Sequence, residues 1–276
     1  CLEQVTSAVF PQLYLSNVMQ LTEKQQQDTE HHVRRAIEKL QRFQNASGDF
    51  NYWPGSDSRN NNQWASIYAG HFLIEAKKLG YVIPTTLLRK WLKYQSSNAQ
   101  QYVAGNQKYS HIQAYRLYVL ALAGKPQLGA MNRFREAAVS ATNTESINNK
   151  ARWLLASAYQ AASQPEAAKS LIQGMSLDVE NNDNTVGSDR TFSSTLGNLG
   201  IRLESLVALN KKQDANKLLE KIAFEMSGDG YQSTQGIAWA LMSVARYLDG
   251  DTSSFTAKLN EAGTATEIKS DKSFTK

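Results

Sequence analysis

Apolar residues return at three- and four-residue spacing along most of the chain, the pattern of helices that each bury one face. Val33, Ile37, Leu40 and Phe43 form one such stripe. Ile67, Gly70, Phe72, Leu73 and Ala76 form a second, and Tyr115, Val119, Leu122 and Ala123 a third. The spacing predicts helices over 2–15, 24–44, 61–79, 84–97, 111–124, 127–141, 146–162, 165–174, 192–210, 213–227 and 233–248, eleven or twelve in all. Short breaks pair them. Gly124-Lys125-Pro126 ends one helix and starts the next. Ser163 reads as a cap with Pro165 in the first turn behind it, and Asn210-Lys211-Lys212 makes a third break. The result is a degenerate helical-hairpin repeat of roughly 40–50 residues. Six such hairpins can stack as an open solenoid or close into an α/α toroid, and periodicity does not choose between them.

Two long loops and a tail interrupt the pattern. Residues 45–62 hold Phe50, Tyr52 and Trp53 between glycines and an Asn run, and long aromatic loops are more often functional than idle. Residues 176–190 are polar and acidic. In the tail the period changes to two: Phe255–Leu259 and Thr264–Ile268 alternate as strands do. With no sheet of their own to join, they suggest the edge of a neighbouring domain.

Composition narrows the class. The 276 residues are 41% hydrophobic and 20% charged, which suits a globular domain with a sizeable core. The net charge of +5 is mild. Its nearest approach to clusters, Lys77-Lys78, Arg89-Lys90 and Lys211-Lys212, reads as solvated helix faces rather than a nucleic-acid stripe. No run approaches the roughly 18 apolar residues that span a bilayer, and no charged segment leads into an apolar one as in a signal peptide. The chain is therefore expected to begin inside a mature or processed protein, and no direct membrane contact is expected of it. One cysteine excludes an intramolecular disulfide and any multi-cysteine metal site. His31 and His32 are adjacent, so they cannot share a helix face as ligands. No metal or other cofactor is expected.

The single thiol stands at Cys1, three residues before Gln4, which puts both side chains on one face of a helix start. A thiol held against a carboxamide can displace ammonia and leave a thioester, an acyl group open to amines, hydroxyls or water. The same four residues also fit an ordinary helix N-terminus, or a mature lipoprotein that begins at a lipidated cysteine.

The order of the motifs behind the tetrad bears on that choice. Cys1-Leu2-Glu3-Gln4 is followed by Gly48-Asp49-Phe50-Asn51-Tyr52-Trp53-Pro54-Gly55 and by Trp64 through His71 to Gly80-Tyr81 and Pro84. Ala114-Tyr115 then leads to Gly124-Lys125-Pro126, and Ser233-Thr234-Gln235 to Ala238-Trp239-Ala240-Leu241. In this order, over residues 1–249, the chain resembles the thioester domain of the α2-macroglobulin and complement family, and most of all its bacterial branch. It departs from the pattern at Gly236-Ile237, and the Gly that usually precedes the cysteine lies outside the chain.

The resemblance implies an all-α domain, an α/α toroid of about six helical hairpins over 1–250, with a short β-like tail at 251–276 that returns to an adjacent CUB-like domain. It implies a protease-trapping inhibitor rather than a turnover enzyme. Bait cleavage elsewhere in a large parent chain would expose a Cys1–Gln4 thioester, which would bind the attacking protease covalently. Neighbouring macroglobulin-like and CUB-like domains would be its partners, in the periplasm or cell envelope, with lipid anchoring of the parent left open. By position in the resemblance, Tyr52, Trp53 and Tyr231 would shield the bond and Glu3 would support it, Glu3 also being a sufficient first-turn complement to the helix dipole. Phe50 and Trp64 are further candidates, although Trp64 and Trp239 read first as core. His111 lies where complement relatives carry an acid/base histidine, but its spacing differs, so it is read as a partly exposed helix-cap residue; His71 reads as a buried or rim histidine. Two other classes stay open: a helical-repeat binding scaffold, and a toroid enzyme acting on carbohydrate, for which Asp49, Asp57 and Glu75 are the acids near the aromatic loops.

Overall fold

The computed structural model describes residues 1–56, 62–103, 110–140, 147–179, 194–228, 232–249, 255–261 and 264–270. Among them are twelve α-helices: α1 (Leu2–Val9), α2 (Leu15–Val18), α3 (Glu23–Leu40), α4 (Gln63–Lys78), α5 (Thr85–Gln101), α6 (Ser110–Leu122), α7 (Leu128–Ser140), α8 (Asn149–Ala161), α9 (Pro165–Ile172), α10 (Thr195–Ala208), α11 (Lys212–Ser227) and α12 (Thr234–Asp249). The first expected helix is broken. Pro11, which lacks an N–H, opens a 3₁₀ turn over Pro11–Tyr14 between α1 and α2.

The helices form two concentric layers. α4, α6, α8 and α10 are buried almost all round, whereas α3, α5, α9 and α11 bury a single stripe such as Ala215, Leu218 and Ile222 on α11. Within the inner layer α1 packs on α4, α4 on α6, α6 on α8, α8 on α10, α10 on α12, and α12 back on α1 and α2. The ring is closed, and the fold is an all-α toroid. Its centre is filled by aromatic rings: Trp64–Tyr115 at 4.6 Å, Phe10–His71 at 5.0 Å, and Trp239 at 5.6 Å from both His71 and Tyr115.

The inner helices all start at one end of the toroid. Trp64 Nε1 at the head of α4 donates to Gln235 Oε1 at the head of α12 (2.9 Å), and Ser233 and Ser194 Oγ atoms meet at 3.3 Å before α12 and α10. At the opposite end, four inner helices stop by the same device. Gly80, Gly124, Ser163 and Asn210 take positive φ of 90°, 70°, 58° and 56°. In each case the next residue's N–H reaches back to a carbonyl five positions earlier: Tyr81 to Ala76, Lys125 to Leu120, Gln164 to Tyr159 and Lys211 to Leu206, at 2.8–3.0 Å. Ser163 therefore terminates α8 rather than capping α9; Gln164 is the N-cap, ahead of Pro165.

The tail forms an antiparallel pair, β1 (Phe255–Glu261) and β2 (Thr264–Ser270), in register from Phe255↔Ser270 to Glu261↔Thr264.

α10 and α12 approach closely at Gly200, where an added Cβ would lie 2.7 Å from the backbone carbon of Trp239. Backbone cannot turn aside as a flexible side chain can. Gly200→Ala is therefore expected to destabilise the fold by about 1–3 kcal/mol, read as a lower urea midpoint at unchanged slope.

Candidate functional site

At the head of α1 the side chains divide sharply. Leu2, Glu3, Thr6, Ser7, Val9 and Phe10 face inward and are buried, while Gln4 and Ala8 are exposed and Cys1 is half-buried. Cys1 is the N-cap and Gln4 the third helical residue, in the reciprocal arrangement of a capping box, with Gln4 Oε1 3.5 Å from the Cys1 nitrogen. The thiol and the carboxamide thus share the outward side of one turn.

The orphan N–H of Leu2 finds its acceptor across the molecule, in the carbonyl of Tyr52 at 2.9 Å. The loop that presents Tyr52 is tied down along its length. Asn45 N donates to Asp49 O (2.9 Å), Asn51 N to Phe43 O (2.8 Å) and Asn51 Nδ2 to Ser56 O (2.8 Å), and Phe50 is buried in the core. The Asp49 carboxylate accepts from Ser66 Oγ. Tyr52 is partly buried against the core, and burial followed by the Glu3 charge raises its phenol. Trp53 stands edge-on to it at 5.7 Å and is 56% exposed.

Glu3 points away from Gln4, into the ring. Its Oε1 accepts from Ser7 Oγ at 2.7 Å and from Thr234 Oγ1 at 3.3 Å, and Ser7 Oγ lies 3.4 Å from Tyr68 Oη. The carboxylate thereby joins α1 to the head of α12, and the Ser7 hydroxyl it holds reaches α4. Tyr231 lies outside the described residues, as does Asp57.

His111 differs from the expectation. It is only 2% exposed, packed 5.7 Å from the Trp64 ring with its Nδ1 3.2 Å from Asn148 Nδ2, and α4 stands between its helix and α1. Since α6 is an inner helix with neighbours on every side, its first turn has no solvent face. The two described acids considered for carbohydrate chemistry are bound up inside the fold. Asp49 serves the loop, and Glu75 meets Tyr14 Oη (2.8 Å), Lys78 Nζ (2.8 Å) and Arg246 (2.5 Å). Arg246 also pairs with Glu204, which accepts from Tyr118 Oη (2.6 Å). Sequence reading missed this cluster; the available signal was a charged residue at a position of an apolar helical stripe.

A closed toroid whose first inner helix opens on an outward Cys/Gln pair is the class that fold and site define. The chain is homologous to the alpha-2-macroglobulin of Escherichia coli, at 31% identity over 149 residues, which is 49% of this chain and 9% of that protein. The matched stretch is less than a tenth of that relative's length. No family model matches the chain. The crystal structure of native E. coli alpha-2-macroglobulin from domain MG7 to the C-terminus matches with a TM-score of 0.73 and 22% identity, covering 99% of this chain and 43% of that one. Native full E. coli alpha-2-macroglobulin seen by cryo-electron microscopy gives 0.74 and 21% (99% and 17% covered). Salmonella alpha-2-macroglobulin reacted with methylamine gives 0.73 and 22% (99% and 18%).

The core of the ring carries a pH dependence. His71 is fully buried beside Tyr115 Oη (3.0 Å), and burial, reinforced by Arg246 and Lys78 against the opposing pull of Glu75, lowers it from 6.5 to about 3. Between those values the unfolded chain binds a proton that the folded one does not, so stability falls as pH drops below about 6.5. Burial alone would raise Glu75, but Arg246 leads the groups that outweigh it and hold it at about 2. Glu75 therefore adds to the loss below about 4.5. Urea midpoints measured from neutral pH down to about pH 5 should decline for the native sequence and decline less steeply in His71→Gln.

Proposed function

We propose that this chain is the thioester domain of a larger alpha-2-macroglobulin-like protein, with Cys1 and Gln4 as its reactive pair. The geometry at the head of α1 carries the reading: both side chains share the outward side of one turn, and Gln4 folds back toward Cys1. In this reading the Cys1 thiol attacks Gln4 Cδ, the C–N bond breaks, ammonia leaves with the thiol proton, and an S–Cδ bond remains. An amine from an attacking protease then adds to the same carbon. The C–S bond breaks, the thiol is restored, and an amide links Gln4 to the protease. One acyl group supports one event, so the domain is a covalent inhibitor rather than a turnover enzyme. The homology to alpha-2-macroglobulin supports this, as do the methylamine-reacted Salmonella relative and an E. coli relative seen as trypsin-activated, both of the same fold.

Water is the commonest competing nucleophile, so the bond needs shelter until it is triggered. Tyr52 supplies the part that belongs to this chain, and Glu3 holds the helix in place. The exposed Trp53 is offered to a neighbouring macroglobulin-like or CUB-like domain of the parent, to which residues 251–276 would return after a toroid domain ending near 250. Such a protein belongs in the periplasm or cell envelope.

The native full-length protein should be lighter by one ammonia than its sequence mass and should incorporate one methylamine at Gln4. Cys1→Ser should abolish both, and Tyr52→Ala should speed loss of the bond to water. Full mass together with a freely titrating Cys1 thiol in the uncleaved protein would sink the proposal.

A further inference from the structure

The turns that join inner to outer helices lie at the end of the toroid opposite Cys1, and from that end basic residues distant in sequence line the outer flank along α5. A groove of about 380 Å³ is walled by Lys77 at the end of α4, Arg89 and Lys93 on α5, and Lys125 after α6, over a floor that includes Ile83 and Leu88. No carboxylate lines it, and none of the four cations is ion-paired among the described residues. Beside the groove the α4–α5 turn exposes Leu79 (50%) and Val82 (80%), and Leu128, three residues beyond Lys125, is 41% exposed.

Helix ends account for only part of this. Lys77 complements the C-terminus of α4. Arg89 and Lys93, one and two turns into α5, gain nothing from a helix end. Four like charges gathered without counter-ions repel one another, and exposed apolar side chains beside them add unfavourable hydration. Both are relieved by the same partner: a surface that is anionic outside and apolar beneath.

We propose that this flank of the toroid docks on an anionic lipid bilayer. Val82 and Leu79 enter the boundary between headgroups and acyl chains, and Lys77, Arg89, Lys93 and Lys125 meet lipid phosphates. The inference is independent of whether a thioester forms.

The test is co-sedimentation of the full-length protein with phosphatidylcholine vesicles, with or without about 30% phosphatidylglycerol. Binding is expected only to the anionic vesicles and should be lost at high salt. R89E/K93E should weaken it by about tenfold or more, since each basic residue near such a surface contributes several-fold. V82D should weaken it too. K217E/K221E, which makes the same change in charge on the ion-paired lysines of α11, should shift it by less than about twofold. Far-ultraviolet circular dichroism checks that each variant keeps its helices. Equal binding to both vesicle types overturns the proposal, as does anionic binding that R89E/K93E leaves untouched. Charge-dependent binding to soluble polyglutamate without vesicle binding also overturns it, and assigns the groove to an acidic protein.

Discussion

A ring of helices closes only if its first member is held between the second and the last, and here the first member is short. α1 has eight residues, too few to be stable alone, and it is followed at once by a proline break. Glu3 supplies the fastening. A carboxylate in the first turn suits the positive end of α1, and the hydroxyl of Thr234 at the head of α12 reaches the same oxygen as that of Ser7 within α1. Leu2, fully buried, and its N–H on Tyr52 O complete the fixation. Glu3 and Leu2 must point inward for this to work, and helical geometry then leaves Cys1 and Gln4 pointing outward. The outward position of Cys1 and Gln4 follows from the way the ring is closed.

Two ends of unlike character result. At the Cys1 end side chains join the helix heads: Glu3 to Thr234, Trp64 to Gln235, Ser233 to Ser194. At the other end the backbone terminates four inner helices by one repeated left-handed turn, and a buried cluster of Arg246, Glu75 and Glu204 draws α12, α4 and α10 together. Removing one partner of such a cluster leaves a buried charge uncompensated, which is more damaging than the cluster's net contribution to stability.

Much of this was legible in the residues. The stripe at Val33–Phe43 marks a helix that buries one face, and the Gly124-Lys125-Pro126 break marks a turn that the structure builds as expected. Closure was not legible from periodicity, because an open stack and a ring place the same faces inward; the family resemblance pointed to the ring. His111 was misjudged for a related reason. A residue at a helix start is normally wet, but an inner helix has neighbours on all sides. Ser163 was ambiguous because serine suits both a helix start and, less often, a left-handed stop, and only the φ of 58° separates them. Of the aromatic loop, the residue types suggested shelter for the thiol. They could not show that Tyr52 serves through its carbonyl or that Trp53 faces outward, since both depend on main-chain hydrogen bonds that many sequences could make.

Closure also limits how such a domain can change over time. An open stack of hairpins can lengthen or shorten by duplicating or deleting a unit, because its end repeats are free. In this ring every inner helix touches two inner neighbours, so an added or lost hairpin would open a seam somewhere in the circle. Variation in length is confined to the connections outside the ring, and descent with change proceeds by substitution within a fixed number of helices.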